Sequence, residues 1–214
     1  SRTPEEDVLL DESYDYLAAI LTQDFKTVVQ DKYKDEVYYR LGQIYKKRLD
    51  EDSMMKVYAF AVTTQTKSPW IPRMYSELIQ AYDDDNNEEL VNFYRNKLIQ
   101  ILTQDSKWWY ANDSYKLATF EAQDLLEFHL LKSAQFYALK GYKSNNFDLL
   151  ETARTRYFNF INKYSWSPYA ERAKLELADI EYNLGRYVIS SKYYFELANE
   201  AESASLREIG RAHV

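Results

Sequence analysis

Cysteine is absent from the 214 residues, and histidine occurs only twice, as His129 and His213. The first absence excludes disulfides, thiolate metal sites and cysteine nucleophiles. The two histidines form neither a two-histidine metal spacing nor a Ser–His–Asp arrangement with nearby residues. His129 lies in an otherwise apolar helical pattern, which predicts a packed or rim position rather than a metal ligand.

Glycine and proline are scarce, with four of each, which is too few for a β protein with many turns. No apolar run approaches the ~18 residues that span a bilayer, so we expect no direct membrane insertion by this segment. Positive charge is also in deficit, and the net charge is −7. Nucleic acid and anionic membranes both require a basic face, so neither is the expected partner. A helical-repeat RNA binder is disfavoured for the same reason.

What the chain has in abundance is apolar and aromatic side chains. Hydrophobic residues make up 46%, and there are 21 tyrosines. This composition is typical of an ordered chain rather than a disordered one. Tyrosine fills gaps between stacked helices while its hydroxyl stays near water, so the tyrosines are predicted to serve mainly in packing.

Apolar residues recur at three- and four-residue steps through 147–201, which is the period of a helix face. Pro168 is tolerated in a first helical turn but not in a helix interior, so 165–167 is predicted to separate two helices. Gly185 is predicted to end the second helix and Tyr187 to begin a third. The stripes of the first two helices are Leu150, Ala153, Tyr157, Phe160 and Ile161, followed by Ala170, Ala173, Leu177, Ile180 and Leu184.

Residues 177–187 resemble the first helix and turn of a tetratricopeptide repeat. A large residue precedes a small one at Leu177 and Ala178, an aromatic follows one turn later, and a turn glycine precedes Tyr187. The places of the family's second helix hold Ser190, Tyr194 and Leu197, and Pro168 closes the preceding repeat. Residues 160–173 further resemble the version found in bacterial envelope proteins, such as outer-membrane assembly lipoproteins.

The same pattern occurs earlier in the chain, at 33–45, where Leu41 and Gly42 form the large–small pair. Glycine inside a helix costs ~1 kcal/mol relative to alanine, so Gly42 is predicted to allow a close helix approach. Residues 50–53 are predicted to form a turn and cap, and 54–64 the partner helix. The next anchor, Leu78, lies 37 residues after Leu41 (78 − 41).

Two segments allow alternatives. Residues 83–89 carry alternate acids as a calcium loop does, but Glu88 and Tyr94 stand where that loop needs glycine and glutamate, so helix capping is favoured. Through 104–146 the periodicity does not distinguish one long helix from two. Ala134 and its expected counterpart Ala178 are 44 residues apart (178 − 134), against ~34 in the family.

The expected fold is therefore all-α, an α-solenoid of antiparallel helix pairs. The family resemblance implies a right-handed superhelix with a concave face lined by the first helices of the pairs. Residues 1–12 are predicted to be a loose N-terminal segment, and 13–214 a single repeat domain, which we expect to be a fragment of a longer chain. Its first helix is predicted around Tyr14, Leu17, Ala18, Leu21, Phe25 and Val28.

The expected function is non-catalytic: a scaffold that binds a protein or peptide partner in the concave groove, without cofactor or metal. An enzyme is not expected, because the sequence contains no catalytic constellation. The resemblance implies a periplasmic, outer-membrane-associated setting in bacteria. The alternative is a regulatory or substrate-recruiting domain of a larger enzyme or of a transport or secretion machine.

The groove positions implied by the resemblance are Tyr39, Gln43, Lys46, Arg73, Ser76, Gln80, Arg172, Leu175, Asp179, Tyr182 and Asn183. Chaperone-binding relatives clamp a terminal carboxylate with lysine, asparagine and arginine, and that clamp is not reproduced at Tyr39, Gln43, Ser76 and Arg172.

Overall fold

The computed structural model describes residues 34–213, together with Val8, Glu12, Ser13 and Tyr16. Every regular element between 34 and 213 is a helix, so the all-α prediction is confirmed for this part of the chain. Between 34 and 213 the ten helices are α1 (Lys34–Lys47), α2 (Glu51–Thr64), α3 (Ile71–Asp84), α4 (Glu88–Leu102), α5 (Lys107–Asn112), α6 (Lys116–Ser144), α7 (Phe147–Lys163), α8 (Ala170–Asn183), α9 (Tyr187–Glu200) and α10 (Ala204–Ala212).

The N-terminal predictions fall almost wholly outside the described residues. Of the segment predicted to be loose, Val8 and Glu12 are described, and both have helical backbone. Of the helix predicted around 14–28, only Tyr16 is described, and it is helical too. None of the helices between 34 and 213 is both long enough and apolar enough to cross a bilayer.

Polar side chains begin several of the helices. The carboxylate of Asp50 accepts the Ser53 N–H at 3.1 Å, so the predicted cap is present, but α2 begins at Glu51, three residues before the predicted 54. Asn87 caps α4 in the same way by accepting the Leu90 N–H at 3.2 Å, as the capping interpretation of 83–89 required. Such a cap satisfies one of the backbone donors that a helix start leaves open.

The turns before α3 and α8 are built alike. The buried hydroxyl of Ser68 accepts the Trp70 N–H at 3.1 Å, and that of Ser167 accepts the Tyr169 N–H at 3.2 Å. Pro168 lies in the second of these turns, ahead of α8, so the predicted break is present. Gly185 ends α8 with a φ of +75°, a left-handed conformation that glycine adopts without strain.

The segment that periodicity left open forms the short helix α5 and then one helix of 29 residues, α6. Trp108 fixes α5 by donating its ring N–H to the Ser68 carbonyl at 2.6 Å. Asn112 adds a bond of 2.9 Å to the Lys67 carbonyl. His129 lies on α6 and is 3% exposed, so the predicted packed position is confirmed.

The chain divides into two compact units, the first ending at Ala122 and the second beginning at Gln123. In the first unit α1 packs on α2, α2 on α3, α3 on α4, and α4 on α5. A β-carbon at Gly42 would overlap the Tyr58 ring, so α1 and α2 approach as closely as the sequence predicted. Core side chains of this unit are Leu41, Tyr45, Tyr58, Ile71, Met74, Leu78, Leu98, Leu102 and Trp108.

In the second unit α7 packs on α8, α8 on α9, and α9 on α10, which also contacts α8. One apolar cluster of this unit consists of Leu175, Ala178, Tyr194, Leu197 and Ala201.

A buried ion network also ties α7 and α8 to the turn before α9. Glu181, whose side chain is 1% exposed, accepts from Arg154 at 2.6 Å and from Arg186 at 3.5 Å. Arg186 pairs in addition with Glu151. The nearer arginine, Arg154, matches the charge of this carboxylate, and such a match is required because a carboxylate this deeply buried is otherwise unstable.

Candidate partner-binding surface

The first candidate surface lies across α1 and α3. Tyr39 stacks on Trp70 with ring centroids 4.6 Å apart and lies parallel to Tyr58 at 6.4 Å. The Arg73 guanidinium lies 5.3 Å from the Trp70 ring centre and 6.0 Å from that of Tyr39. An arginine in this position is attracted by the negative ring faces. Two predicted groove residues, Tyr39 and Arg73, are therefore brought together.

Arg73 is held on its other side by Glu121. The two side chains form a forked pair, with Nε 2.9 Å from one carboxylate oxygen and Nη2 2.5 Å from the other. These hydrogen bonds raise the pKa of the Arg73 guanidinium above its ordinary value. Both side chains are about one-third exposed, at 36% and 35%, so the pair lies at the edge of the aromatic stack and remains open to solvent.

A polar cluster continues this surface along the same two helices. The Gln43 amide donates to the Tyr58 hydroxyl at 2.9 Å and to Glu77 at 3.4 Å. Lys46 pairs with the same Glu77 carboxylate. The Tyr58 hydroxyl donates in turn to the Tyr39 carbonyl at 3.1 Å, and burial raises its pKa. Gln43 and Lys46 of α1 thus both bind to Glu77 of α3.

The two other predicted residues of α3 lie beside this cluster. Ser76 is half-buried, and Gln80 is exposed. The Gln80 amide donates to Asp84 at 2.8 Å within the helix.

The second candidate surface lies in the second unit, on α6 and α8. Its centre is Glu176, which accepts from the Gln135 amide at 2.9 and 3.1 Å and from Arg172 at 2.6 Å. The Tyr157 hydroxyl of α7 donates to the same carboxylate. Burial, reinforced by the negative charge of Glu176, raises the pKa of Tyr157. Arg172, a predicted groove residue, is held in place by this contact.

Asp179 and Asn183 lie one and two turns further along α8. The Tyr194 hydroxyl donates to Asp179, and the Asn183 amide donates to the Asp179 carbonyl at 2.7 Å. A pocket of about 360 Å³ opens between α6, α7 and α8. It is lined by Gln135, Ala138, Leu139, Tyr142, Tyr157, Arg172, Glu176, Asp179 and Ile180.

The last two predicted residues differ sharply. Tyr182 is 59% exposed and meets Tyr187 edge-on at 5.2 Å, so its ring is open to a partner. Leu175 is 5% exposed and belongs to the apolar cluster of the second unit, so its side chain offers no surface for binding. Leu175 and Ala178 are three residues apart, so they lie on one side of α8. That side packs against Tyr194 and Leu197 of α9.

Several residues that organise both surfaces were absent from the predicted set. Glu77 and Glu176 are the main ones, and Trp70, Tyr142 and Glu121 are others. Spacing could have revealed the first two: Glu77 follows Arg73 by four residues, and Glu176 follows Arg172 by four. Residues four apart share a helix face, so each glutamate belongs beside the predicted arginine.

The two surfaces present aromatic rings, together with amide and basic side chains that are paired with carboxylates. Between 34 and 213 no three His, Asp or Glu side chains are grouped so as to hold a metal ion. A scan against protein-family models finds none that matches the chain, and a search of curated proteins finds no significant match. The family resemblance therefore remains an expectation based on the residues at 33–45 and 177–187.

Proposed function

We propose that this chain is a tetratricopeptide-like repeat scaffold that docks an extended segment or helix of a protein partner. Each unit offers its own docking surface: the surface across α1 and α3 in the first unit, and the surface across α6 and α8 in the second. The mechanism is equilibrium binding, in which no covalent bond is made or broken. Aromatic rings and paired amides and charges suit a peptide because they offer contact area and directional hydrogen bonds together.

The observation that carries the proposal is a polar triad that occurs in both units. In the first, Gln43 of α1 donates to Glu77 of α3, and Tyr58 of the intervening α2 bonds to the glutamine. In the second, Gln135 of α6 donates to Glu176 of α8, and Tyr157 of the intervening α7 donates to the glutamate instead of bonding to the glutamine. The glutamate follows the tyrosine by 19 residues in both cases (77 − 58 and 176 − 157).

Such a triad forms when alternate helices lie side by side with the intervening helix behind them. That arrangement is the one expected of stacked helix pairs, whose first helices share a face. The spacing of small residues and tyrosines supports it further. Tyrosines stand 16 residues after Gly42, Gly141 and Ala178, as Tyr58, Tyr157 and Tyr194.

The right-handed superhelix and the envelope setting are parts of the same proposal. The superhelix is what continued stacking of such pairs implies. The bacterial envelope setting, periplasmic or outer-membrane associated, is supported by the resemblance at 160–173.

Selection of random displayed peptides on the purified chain tests the proposal. We expect bound peptides to shift the backbone NMR signals of residues on α1, α3, α6 and α8. Tyr39→Ala and Tyr182→Ala should each weaken binding about tenfold with little loss of helicity, since a buried aromatic contact contributes roughly 1–2 kcal/mol.

Tyr110→Ala and Phe195→Ala are the matched controls, since both side chains are well exposed and lie on helices outside the two surfaces. They should leave the affinity unchanged. Unchanged affinity in the Tyr39 and Tyr182 variants, or peptide shifts confined to α5 and α9, would rule out these surfaces as the docking face.

A further inference from the structure

The pocket of the second unit combines an apolar wall with an acidic end. Its wall is formed by Ala138 and Leu139 of α6 and by Ile180 of α8, and Leu139 is 59% exposed at the rim. Asp179 and Tyr142 form the acidic end. The volume of about 360 Å³ accommodates a long side chain but not a folded element.

The charges around the pocket do not cancel. Arg172 is neutralised by Glu176, whose carboxylate is already occupied by three donor side chains. Asp179 receives one bond, from the Tyr194 hydroxyl to Oδ1, and its Oδ2 accepts none from any residue that the structure describes. One oxygen of this pocket-lining carboxylate therefore accepts no hydrogen bond from the described residues and is left to bind a donor.

The electrostatic field at the pocket mouth is negative, because the carboxylates of Asp179 and Glu176 act on the Tyr142 hydroxyl there. Burial, and then the negative charges of Asp179 and Glu176, raise the pKa of the Tyr142 hydroxyl to about 12. Burial disfavours a charge of either sign, but the part of the rise that comes from the two carboxylates has the sign that attracts a cation.

We propose that this pocket binds the side chain of a lysine in the partner segment. The ammonium group donates to Asp179 Oδ2 and to the Tyr142 hydroxyl, and the four methylenes lie along Ala138, Leu139 and Ile180. Lysine fits because it combines a long apolar stem with a compact charged head. The inference rests on the proposed function, which it deepens by naming the chemistry that the second unit selects.

Titration with N-acetyl-lysine N-methylamide, followed by the methyl NMR signals of Ala138, Leu139 and Ile180, tests this directly. We expect saturable shifts of these methyl groups with a dissociation constant in the millimolar range, about what one paired ion and a short apolar stem provide. The norleucine analogue, which keeps the stem but lacks the ammonium, should bind at least fivefold more weakly. Raising the salt concentration should weaken the lysine probe and leave the norleucine probe unaffected.

Asp179→Asn is the decisive variant, because asparagine can still accept the Tyr194 hydroxyl while it removes the charge. It should weaken the lysine probe at least fivefold and leave the far-UV circular dichroism spectrum unchanged. Asp124→Asn is the matched control, because Asp124 is an exposed aspartate of α6 whose side chain forms no hydrogen bond or ion pair with the described residues. It should bind the probe like the wild type.

Equal binding of the lysine and norleucine probes would overturn the inference. So would an Asp179→Asn variant that binds lysine normally, or shifts confined to residues outside the pocket. The proposed function is tested separately by the displayed peptides. Peptides that dock on α6 and α8 without placing a lysine in the pocket would contradict the lysine site alone, whereas absence of docking on any of the four helices would contradict the scaffold.

Discussion

Tyrosine hydroxyls are the residue-level feature on which both candidate surfaces depend. Tyr58, Tyr157 and Tyr194 each bury a ring between helices and direct the hydroxyl to a polar group on a neighbouring helix. This use accounts for much of the chain's high tyrosine content, because a phenol is the side chain that fills a helix gap and still satisfies a polar group. Each such hydroxyl fixes the position of one partner on the surface above it.

Gly42 is the residue at which this packing is least tolerant of change. The added methyl group of Gly42→Ala would overlap the Tyr58 ring, which is fully buried and cannot turn away while its hydroxyl bonds to Gln43. Alanine is favoured in a helix by ~1 kcal/mol, but overpacking costs roughly 1–3 kcal/mol or more. We expect the variant to lose about 2 kcal/mol in the free energy of unfolding, measured by urea denaturation.

The effect of Gly42→Ala on the free energy of unfolding should change sign when the Tyr58 ring is removed. In a Tyr58→Leu background the obstructing ring atoms are gone, so Gly42→Ala should stabilise by up to ~1 kcal/mol through helix propensity alone. If Gly42→Ala stabilised the protein with Tyr58 intact, the close approach of α1 and α2 would be refuted.

At the scale of elements, α10 depends on a carboxylate from a distant part of the chain. Glu171 of α8 accepts the backbone N–H groups of Glu202 and Ser203, immediately before α10 begins. At the other end of α10, Gly210 lies against the backbone of α9, where a β-carbon would be 2.6 Å from the Ala198 nitrogen. The helix is thus fixed at both ends.

Glu171→Ala should release the first of these two attachments. A carboxylate that bonds to open N–H groups at a helix start contributes about 1 kcal/mol. Hydrogen exchange of the α10 amides should therefore quicken about fivefold, while the amides of α7 stay unchanged. Glu208→Ala, at an exposed site on α10 itself, is the control. A uniform increase through the whole second unit would mean that Glu171 supports the unit rather than this helix.

Local patterns predicted the elements well wherever a helix buries a single face. The stripe around Leu41 and Tyr45 predicted α1, and the polar residues 50–53 predicted the cap of α2, although the helix begins at Glu51 rather than at 54. The long helix α6 was undecidable because it buries residues on more than one side, including Ala122, Leu126 and Leu131. Its apolar positions then form no single stripe, and periodicity alone cannot distinguish one helix from two.

The candidate surface was predictable only in part, for a related reason. Tyr39 and Arg73 were identified from their helix positions. The sequence pattern predicts nothing for Glu77 beyond a solvated charge on an exposed helix face. Its role depends on Gln43 and Lys46, which lie 34 and 31 residues earlier. Such pairings follow from which helices are neighbours, and a single helix pattern does not contain that information.

For the molecule as a whole, the buried tyrosines predict a loss of stability at high pH. Burial raises the pKa of Tyr94 and Tyr142 to about 12, and it raises those of Tyr58, Tyr157 and Tyr194 as well. In the unfolded chain these phenols ionise near 10. Between about pH 10 and pH 12 the unfolded state therefore binds fewer protons than the folded state, and the free energy of unfolding falls as pH rises.

Tyrosine ionisation should therefore leave the urea midpoint unchanged from about pH 7 to pH 9. Above about pH 10 it should make the midpoint fall steeply. Absorbance at the phenolate band, recorded in the same titration, should show two groups of tyrosines. The exposed group ionises while the helical circular dichroism is intact, and the buried group ionises only as the helices unfold. If all 21 tyrosines ionised in one step near pH 10 with the helices intact, the hydroxyls beneath both surfaces would be accessible to water, and the fixed polar triads on which the docking proposal rests would not exist in solution.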